Sequence, residues 1–295
     1  MSSTRASTRK DSVLITGTSS GIGLETAVYL AECGFQVCAT MRDIRRRDKL
    51  DAEATRRNVQ LEVLQLDSTN AASIHMAVRT VLERTGGLYG LVNNAGILIR
   101  GYFEDISDEE MQRVFNTNVF GTMAVTRAVL PCMRAARRGR IVIMSSTGGK
   151  IASLGASAYC ASKFALEGFG ETLAQEVLPF GVHVSLVEPG FIKTEIFGKN
   201  RHIAARALEP QGPYYPWFQQ LEELTEQQMR TAILSPTDVA KAVRHALTAV
   251  RPRLRYIVGR RAKLLLALRR YLPGELFDRL WRRELVRRTT AHQEG

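Results

Sequence analysis

The chain has 295 residues, 45% of them hydrophobic and 24% charged, with a formal net charge of +12. This length and apolar content support a substantial buried core and exclude disordered, collagen-like and disulfide-scaffold classes. The charge is uneven: residues 251–288 hold 13 Lys/Arg against three acids, whereas residues 1–250 carry a net charge of only +3. No zinc-ligand spacing and no aromatic-basic signature of an RNA-binding sheet accompanies it, so the basic balance does not read as nucleic-acid recognition.

Residues 1–10 are polar and Ser/Thr/Arg-rich, which predicts a disordered N-terminus rather than a secretory signal. Residues 12–16 (SVLIT) form a short apolar run that stops at Gly17, and a helical period follows over 22–33. Strands are predicted at 36–41 and 59–66, with a charged helix over 45–57 between them. A helix over 70–84 and a brief strand at 90–92 come next. Ser107 and Glu110 have capping-box spacing and open a helix reaching about residue 136. A strand at 140–144, a helix over 157–180 and a strand at 183–187 complete the alternation. Short apolar strands alternating with amphipathic helices predict an α/β fold, a doubly wound parallel sheet of Rossmann type. The domain is assigned to 11–260. Residues 194–234 lose the period, and a substrate lid is assigned to about 195–234. Ser235-Pro236-Thr237-Asp238 starts a helix to 250, and a basic helical extension occupies 261–295.

Between the first strand and the first helix lies Thr16-Gly17-Thr18-Ser19-Ser20-Gly21-Ile22-Gly23. Glycines at such a junction permit a tight turn, a close backbone approach to a pyrophosphate, and helix-on-strand packing. After the second strand, an acid would bond the ribose hydroxyls of NAD, whereas Arg would accommodate the 2′-phosphate of NADP. Met41 is followed here by Arg42, and the planar multi-donor guanidinium suits a phosphate. NADP(H) is therefore the expected cofactor. Arg45, Arg46 and Arg47 read as a solvated helix start.

Tyr159 and Lys163 are four residues apart on one helical face. A free phenol titrates near ~10, and a neighbouring ammonium lowers that value, giving a usable general acid/base. Ser146, thirteen residues upstream, ends a strand at the carboxyl edge of the sheet, where open α/β folds bind their ligands.

With these residues in place, the sequence resembles the short-chain dehydrogenases/reductases. The matching motifs are residues 16–23, Asp67, Asn93-Asn94-Ala95-Gly96, Asn118 in NTNVFG, Ser146, YCASK at 159–163, and Pro189-Gly190 with Thr194. They follow the family's order and spacing over about 11–195, and YCASKFALEG and LPFGVHVSLVEPG are most similar to the branch of 17β-hydroxysteroid and retinol dehydrogenases. The resemblance implies that Tyr159 exchanges the proton with the substrate oxygen and that Ser146 hydrogen-bonds it. Lys163 would depress the Tyr159 pKa and hold the nicotinamide ribose, with Asn118 positioning Lys163 through a water. It places Gly17, Ser20, Gly21, Ile22 and Gly23 at the pyrophosphate and Asp67 at adenine. Asn94, Ala95 and Gly96 would lie beside the cofactor, and Pro189, Gly190, Ile192 and Thr194 at its nicotinamide end. One departure is Ser20, where some NADP(H)-using members carry a basic residue.

The resulting expectation is an NADP(H)-dependent oxidoreductase acting on a hydrophobic alcohol or its carbonyl partner, of steroid, retinoid or long-chain lipid type. A 3-oxoacyl-thioester reductase and a catalytically silent NADP(H)-binding regulator are the alternatives. Ile196, Phe197, Tyr214, Tyr215, Trp217 and Phe218 in the lid fit either an apolar substrate or a loop anchoring itself. Phe277, Trp281 and Leu285 recur at four-residue spacing in the tail, surrounded by Arg279, Arg282, Arg283 and Arg287. That pattern fits peripheral contact with an anionic membrane, or a helix packed on the domain with a solvated basic face. The family implies a homodimer or homotetramer. The four cysteines Cys33, Cys38, Cys132 and Cys160 have no metal-ligand spacing, and reduced, mostly buried thiols in a cytoplasmic protein are expected. Cys160 reads as packing, the five histidines form no cluster, and no metal site is expected.

Overall fold

The computed structural model describes residues 10–193 and 201–290. Its strands are β1 (Ser12–Thr16), β2 (Gln36–Met41), β3 (Glu62–Gln65), β4 (Gly90–Asn93), β5 (Ile99–Arg100), β6 (Gly139–Met144), β7 (Val182–Pro189), β8 (His202–Ile203) and β9 (Arg255–Val258). Seven of them form one sheet in the order β3-β2-β1-β4-β6-β7-β9, with every pairing parallel, while β5 pairs with β8 apart from it. The doubly wound parallel sheet expected from the alternation is present.

All residues of β1 and β4 are buried, as a strand covered on both faces requires. Successive residues point to opposite faces. Leu14, Leu91, Ile141, Ile143 and Leu186 enter one core with α3 (Ala71–Thr85), α5 (Gly121–Ala135) and α6 (Ser157–Val177). Val13, Ile15, Val92, Val142 and Val187 enter the other, facing α1 (Gly21–Glu32) and α8 (Pro236–Thr248). The strand order reverses between β1 and β4, which opens a crevice at the carboxyl ends of the strands. The loops after β1, β4, β6 and β7 all meet there.

Four features depart from the sequence reading. The helix over 107–136 is two, α4 (Asp108–Phe115) and α5, joined by a single π turn at Asn116–Phe120. The segment without period contains the helix α7 (Tyr215–Thr231), whose only buried residues are Phe218 and Thr225, too few to mark an apolar stripe. The edge strand β9 sits inside the basic stretch, where its arginines obscured the strand pattern. Cys33 is exposed and Cys132 half-buried, although all four thiols are free. Residues 194–200, with Thr194, Ile196 and Phe197, lie outside the described residues.

The remaining helices are α2 (Asp48–Arg56), α9 (Arg260–Tyr271) and α10 (Gly274–Thr290). The tail is thus two helices, and it folds back on the body. Phe277 is 5% exposed, and Trp281 Nε1 donates to the Ala152 carbonyl at 3.0 Å. Among the described residues, no helix is long and apolar enough to cross a membrane.

Phe218 is fully buried in a small cluster with Ile99, Ile106, Val114, Ala158, Ala204 and Ala207, away from the two sheet cores. Phe218→Ala leaves a cavity worth about 3–5 kcal/mol at this anchor. The expected outcome is faster proteolysis within 201–234 than in the wild type under native conditions, measured by limited digestion and mass spectrometry.

Candidate active site

The crevice is a single cavity of about 1830 Å³, above the ~300–1,000 Å³ of ordinary ligand pockets, so two molecules fit side by side. One end is a backbone cradle. Gly17 has a φ of +71°, and a Cβ there would strike Ala95; a Cβ on Gly23 would meet the Gly17 carbonyl and the Asn94 side chain. Only glycine leaves this surface open. Asn94 Nδ2 donates to the carbonyls of Thr16 and Gly17 at 2.9 and 3.0 Å, and Thr16 Oγ1 accepts from the backbone N–H groups of Asn94 and Ala95 at 3.0 Å. These bonds fasten the β1 loop to the β4 loop. Gly17, Ser20, Gly21, Ile22, Gly23, Asn94, Ala95 and Gly96 line the cavity, with Arg42 and Asp67 at the same end and Pro189, Gly190 and Ile192 beyond.

Beside β2, the acid that could compete with Arg42 is occupied. Both Asp43 oxygens accept from Arg45, Nε and Nη2 each at 2.9 Å, and this pairing holds the carboxyl below the usual range. Arg45 is solvated as expected, its side chain 87% exposed even while paired with Asp43, and Arg42 is exposed at the cavity wall.

At the other end, α6 brings Tyr159 and Lys163 to the crevice. Ser146 Oγ accepts from the Gly148 N–H at 3.0 Å, which leaves its own proton to donate to the Tyr159 phenol it contacts. Ser145 is 2% exposed and packs beneath Gly149. Lys163 is buried, and its Nζ donates to the Met144 carbonyl at 2.7 Å. That nitrogen lies 5.5 Å from the centre of the Tyr159 ring. Burial pushes the Tyr159 phenol up to about 12, against the lowering effect of Ser146. Desolvation brings Lys163 down to about 8, opposed by the nearby Glu167 charge. Burial dominates at Tyr159, and the Lys163 ammonium is turned toward the Met144 carbonyl.

Asn118 is fully buried on the π turn. Its Oδ1 accepts from the Ile97 N–H at 2.8 Å, and its Nδ2 donates to the Ile97 carbonyl and to Ser162 Oγ, both at 3.0 Å. Its direct side-chain bonds thus go to Ile97 and Ser162, fixing the backbone next to Gly96. Cys160 is buried and its thiol pushed up by desolvation, the opposite of a nucleophile.

Leucines wall another part of the cavity: Leu221 and Leu224 from α7, Leu264, Leu265 and Leu268 from α9, and Leu285 from α10, with Trp281 among them. The lid aromatics do something else. Tyr214 stacks on Tyr102 at 4.9 Å and lies 6.2 Å from Trp217, anchoring the lid to the body. Sequence reasoning missed Arg100, a buried cation on β5 at the cavity wall. Its Nε pairs with Glu222 of α7 at 3.1 Å, its Nη1 donates to Thr225, and Arg201 holds the other Glu222 oxygen at 2.6 Å. Partners more than a hundred residues apart leave no local signal.

A family model described as short chain dehydrogenase matches residues 11–204. The chain belongs to that family. Retinol dehydrogenase 8 of Bos taurus is 39% identical over 90% of this chain and 88% of its own length. The 17-beta-hydroxysteroid dehydrogenase type 1 of Homo sapiens is 38% identical over 87% of this chain and 80% of its own. Among solved structures, a short-chain dehydrogenase from Streptomyces avermitilis superposes with a TM-score of 0.77 at 35% identity, covering 95% of this chain and 99% of that one. Family membership makes the chain an oxidoreductase.

In the ligand-free protein, the ultraviolet phenolate signal lost in Tyr159→Phe is expected to titrate near pH 12, as wild-type-minus-variant difference absorbance would record. A midpoint below the ordinary tyrosine value would contradict the desolvation reading.

Proposed function

We propose that the chain is an NADP(H)-dependent oxidoreductase interconverting a hydrophobic alcohol and its ketone or aldehyde, of steroid, retinoid or long-chain lipid type. The observation that carries this reading is Tyr159 with Ser146 and Lys163 in a cavity whose far end is walled by leucines. The open glycine cradle at Gly17 and Gly23 fits a dinucleotide, and a bound nicotinamide coenzyme would supply or take the hydride. Gly17, Ser20, Gly21, Ile22 and Gly23 would hold the pyrophosphate and Asp67 the adenine. Asn94, Ala95 and Gly96 would flank the chain of the coenzyme, and Pro189, Gly190 and Ile192 its nicotinamide; the same role for Thr194 falls outside the described residues. Tyr159 keeps its proton at neutral pH and so has one to give to a substrate carbonyl, with Ser146 hydrogen-bonded to the same oxygen. Lys163 would exchange the Met144 carbonyl for the ribose and the phenolate, and Asn118 holds the adjoining backbone.

Oxidation of NADPH against ketosteroids, retinal, long-chain ketones and acetoacetyl thioesters tests the substrate class. Turnover of at least one lipophilic carbonyl is expected, falling to a few per cent or less in Tyr159→Phe, a loss of about 10² or more typical of a general acid. Turnover only of thioesters, or an active Tyr159→Phe, would sink the reading.

Arg42 at the cavity wall, with Asp43 engaged by Arg45, supports a 2′-phosphate site. Arg42→Ala is expected to raise the KM for NADPH about tenfold, the worth of one charge-assisted contact, with little change for NADH. Equal use of both coenzymes by the wild type would contradict this assignment.

Exposed Phe120 and Phe164 near and on α5 and α6 support self-association into a homodimer or homotetramer. In the tail, exposed Tyr271, Leu276, Leu280 and Val286 alternate with Arg279, Arg282 and Arg283. That surface supports peripheral contact with an anionic bilayer, even though the opposite side of the same helices packs on the body. In vesicle co-sedimentation, the full chain is expected to bind phosphatidylserine-containing vesicles and not neutral ones. Arg279→Glu with Arg282→Glu and Arg283→Glu should abolish that binding, and unaltered binding would rule the surface out.

A further inference from the structure

Behind the active site, a second set of charges is buried along the same helix. Tyr159, Lys163, Glu167 and Glu171 follow one another at four-residue spacing and form a row on α6. Glu167 is 4% exposed, and its Oε2 receives Lys150 Nζ at 3.0 Å and Arg255 Nε at 3.1 Å. Glu188, 1% exposed on β7 directly before Pro189, places Oε1 3.4 Å from that same Arg255 nitrogen. Arg255 then reaches outward to Glu171 at 2.8 Å. Two oxygens are left over. Oε1 of Glu167 and Oε1 of Glu188 are buried with no hydrogen bond, while both carboxyl groups converge on the single Arg255 Nε. Ionised carboxylates only accept and repel each other when buried side by side, and one proton held between them would satisfy both orphaned oxygens.

We propose that Glu167 and Glu188 share one proton, and that this acid pair is a positioning element for Lys163, coupling the charge behind the ammonium to the protonation of the pair. This rests on reading Tyr159 and Lys163 as the acid/base machinery. The groups facing the pair are Lys163 and Glu171 from α6, Lys150 from the turn after β6, and Arg255 from β9. When the pair holds its proton, one carboxylate opposes these cations; when the proton leaves, two do. Burial, and then the charge of Glu167, push Glu188 up to about 7, so the change falls in the neutral range. The second negative charge favours the ammonium form of Lys163, which Glu167 already supports against desolvation. On acidification the pair loses that charge, so the potential at Lys163, and with it at the Tyr159 phenolate that alcohol oxidation needs, changes with the shared proton.

Infrared difference spectroscopy of the ligand-free full chain tests the shared proton without turnover. A protonated-carboxyl carbonyl band should vanish with a midpoint near 7 in the wild type and be missing from E188Q, whose amide still donates to Glu167. Should E188Q fail to fold, E167Q makes the same comparison. The pH profile of kcat for alcohol oxidation then tests the coupling. The wild type is expected to show an inflection near neutrality that E188Q loses. A band absent from the wild type, or unchanged in E188Q, overturns the pair whatever the activity; superimposable pH profiles overturn the coupling. Failure of the functional reading shows separately, as turnover that Tyr159→Phe leaves intact.

Discussion

Lys163 carries a positive charge in the interior of the protein, where an unpaired ammonium is strongly disfavoured. The fold answers with the Met144 carbonyl at 2.7 Å and the Glu167 carboxylate one helical turn away. Both come from elements that cannot move independently: the end of β6 and the middle of α6. Satisfying this one charge therefore fixes α6 against the sheet at the carboxyl edge. Tyr159, a turn earlier on the same helix, is placed with it, and Ser146, two residues past Met144, meets the phenol.

The rest of the site consists of bonds that hold neighbouring loops to this anchor. Thr16 and Asn94 tie the β1 loop to the β4 loop, and Asn118 grips both backbone groups of Ile97. The π turn explains how a helical asparagine reaches that far: one extra residue per turn swings Asn118 into the interior, as such turns often do at functional sites. The wall opposite is supplied by chain segments remote in sequence, with Arg100 joined to Glu222 across α7 and the tail leucines closing the far side.

Local chemistry was legible in the sequence. The glycines of the 16–23 loop, the four-residue step from Tyr159 to Lys163 and the alternation of short apolar runs with helices each follow from rules that act over a few residues. The π turn had no signal, since Asn118 continues an unbroken helical pattern. α7 escaped because two buried residues in seventeen make no stripe. The aromatics at its start left open a substrate contact or a loop anchoring itself, and Tyr214 stacks on Tyr102. The concentrated charge of the tail concealed the edge strand β9, and that α9 and α10 turn leucines toward the cavity followed only from the folded-back tail. Long-range pairs such as Arg100 with Glu222 and Arg255 with Glu188 exist only once the sheet has formed.

A crystal structure of the NADPH complex tests the central assignment most directly. Lys163 Nζ should be found on the nicotinamide ribose instead of the Met144 carbonyl, with Tyr159 and Ser146 facing the open side of the nicotinamide and Arg42 on the 2′-phosphate. A coenzyme seated away from Lys163, with that nitrogen still on Met144, would contradict it.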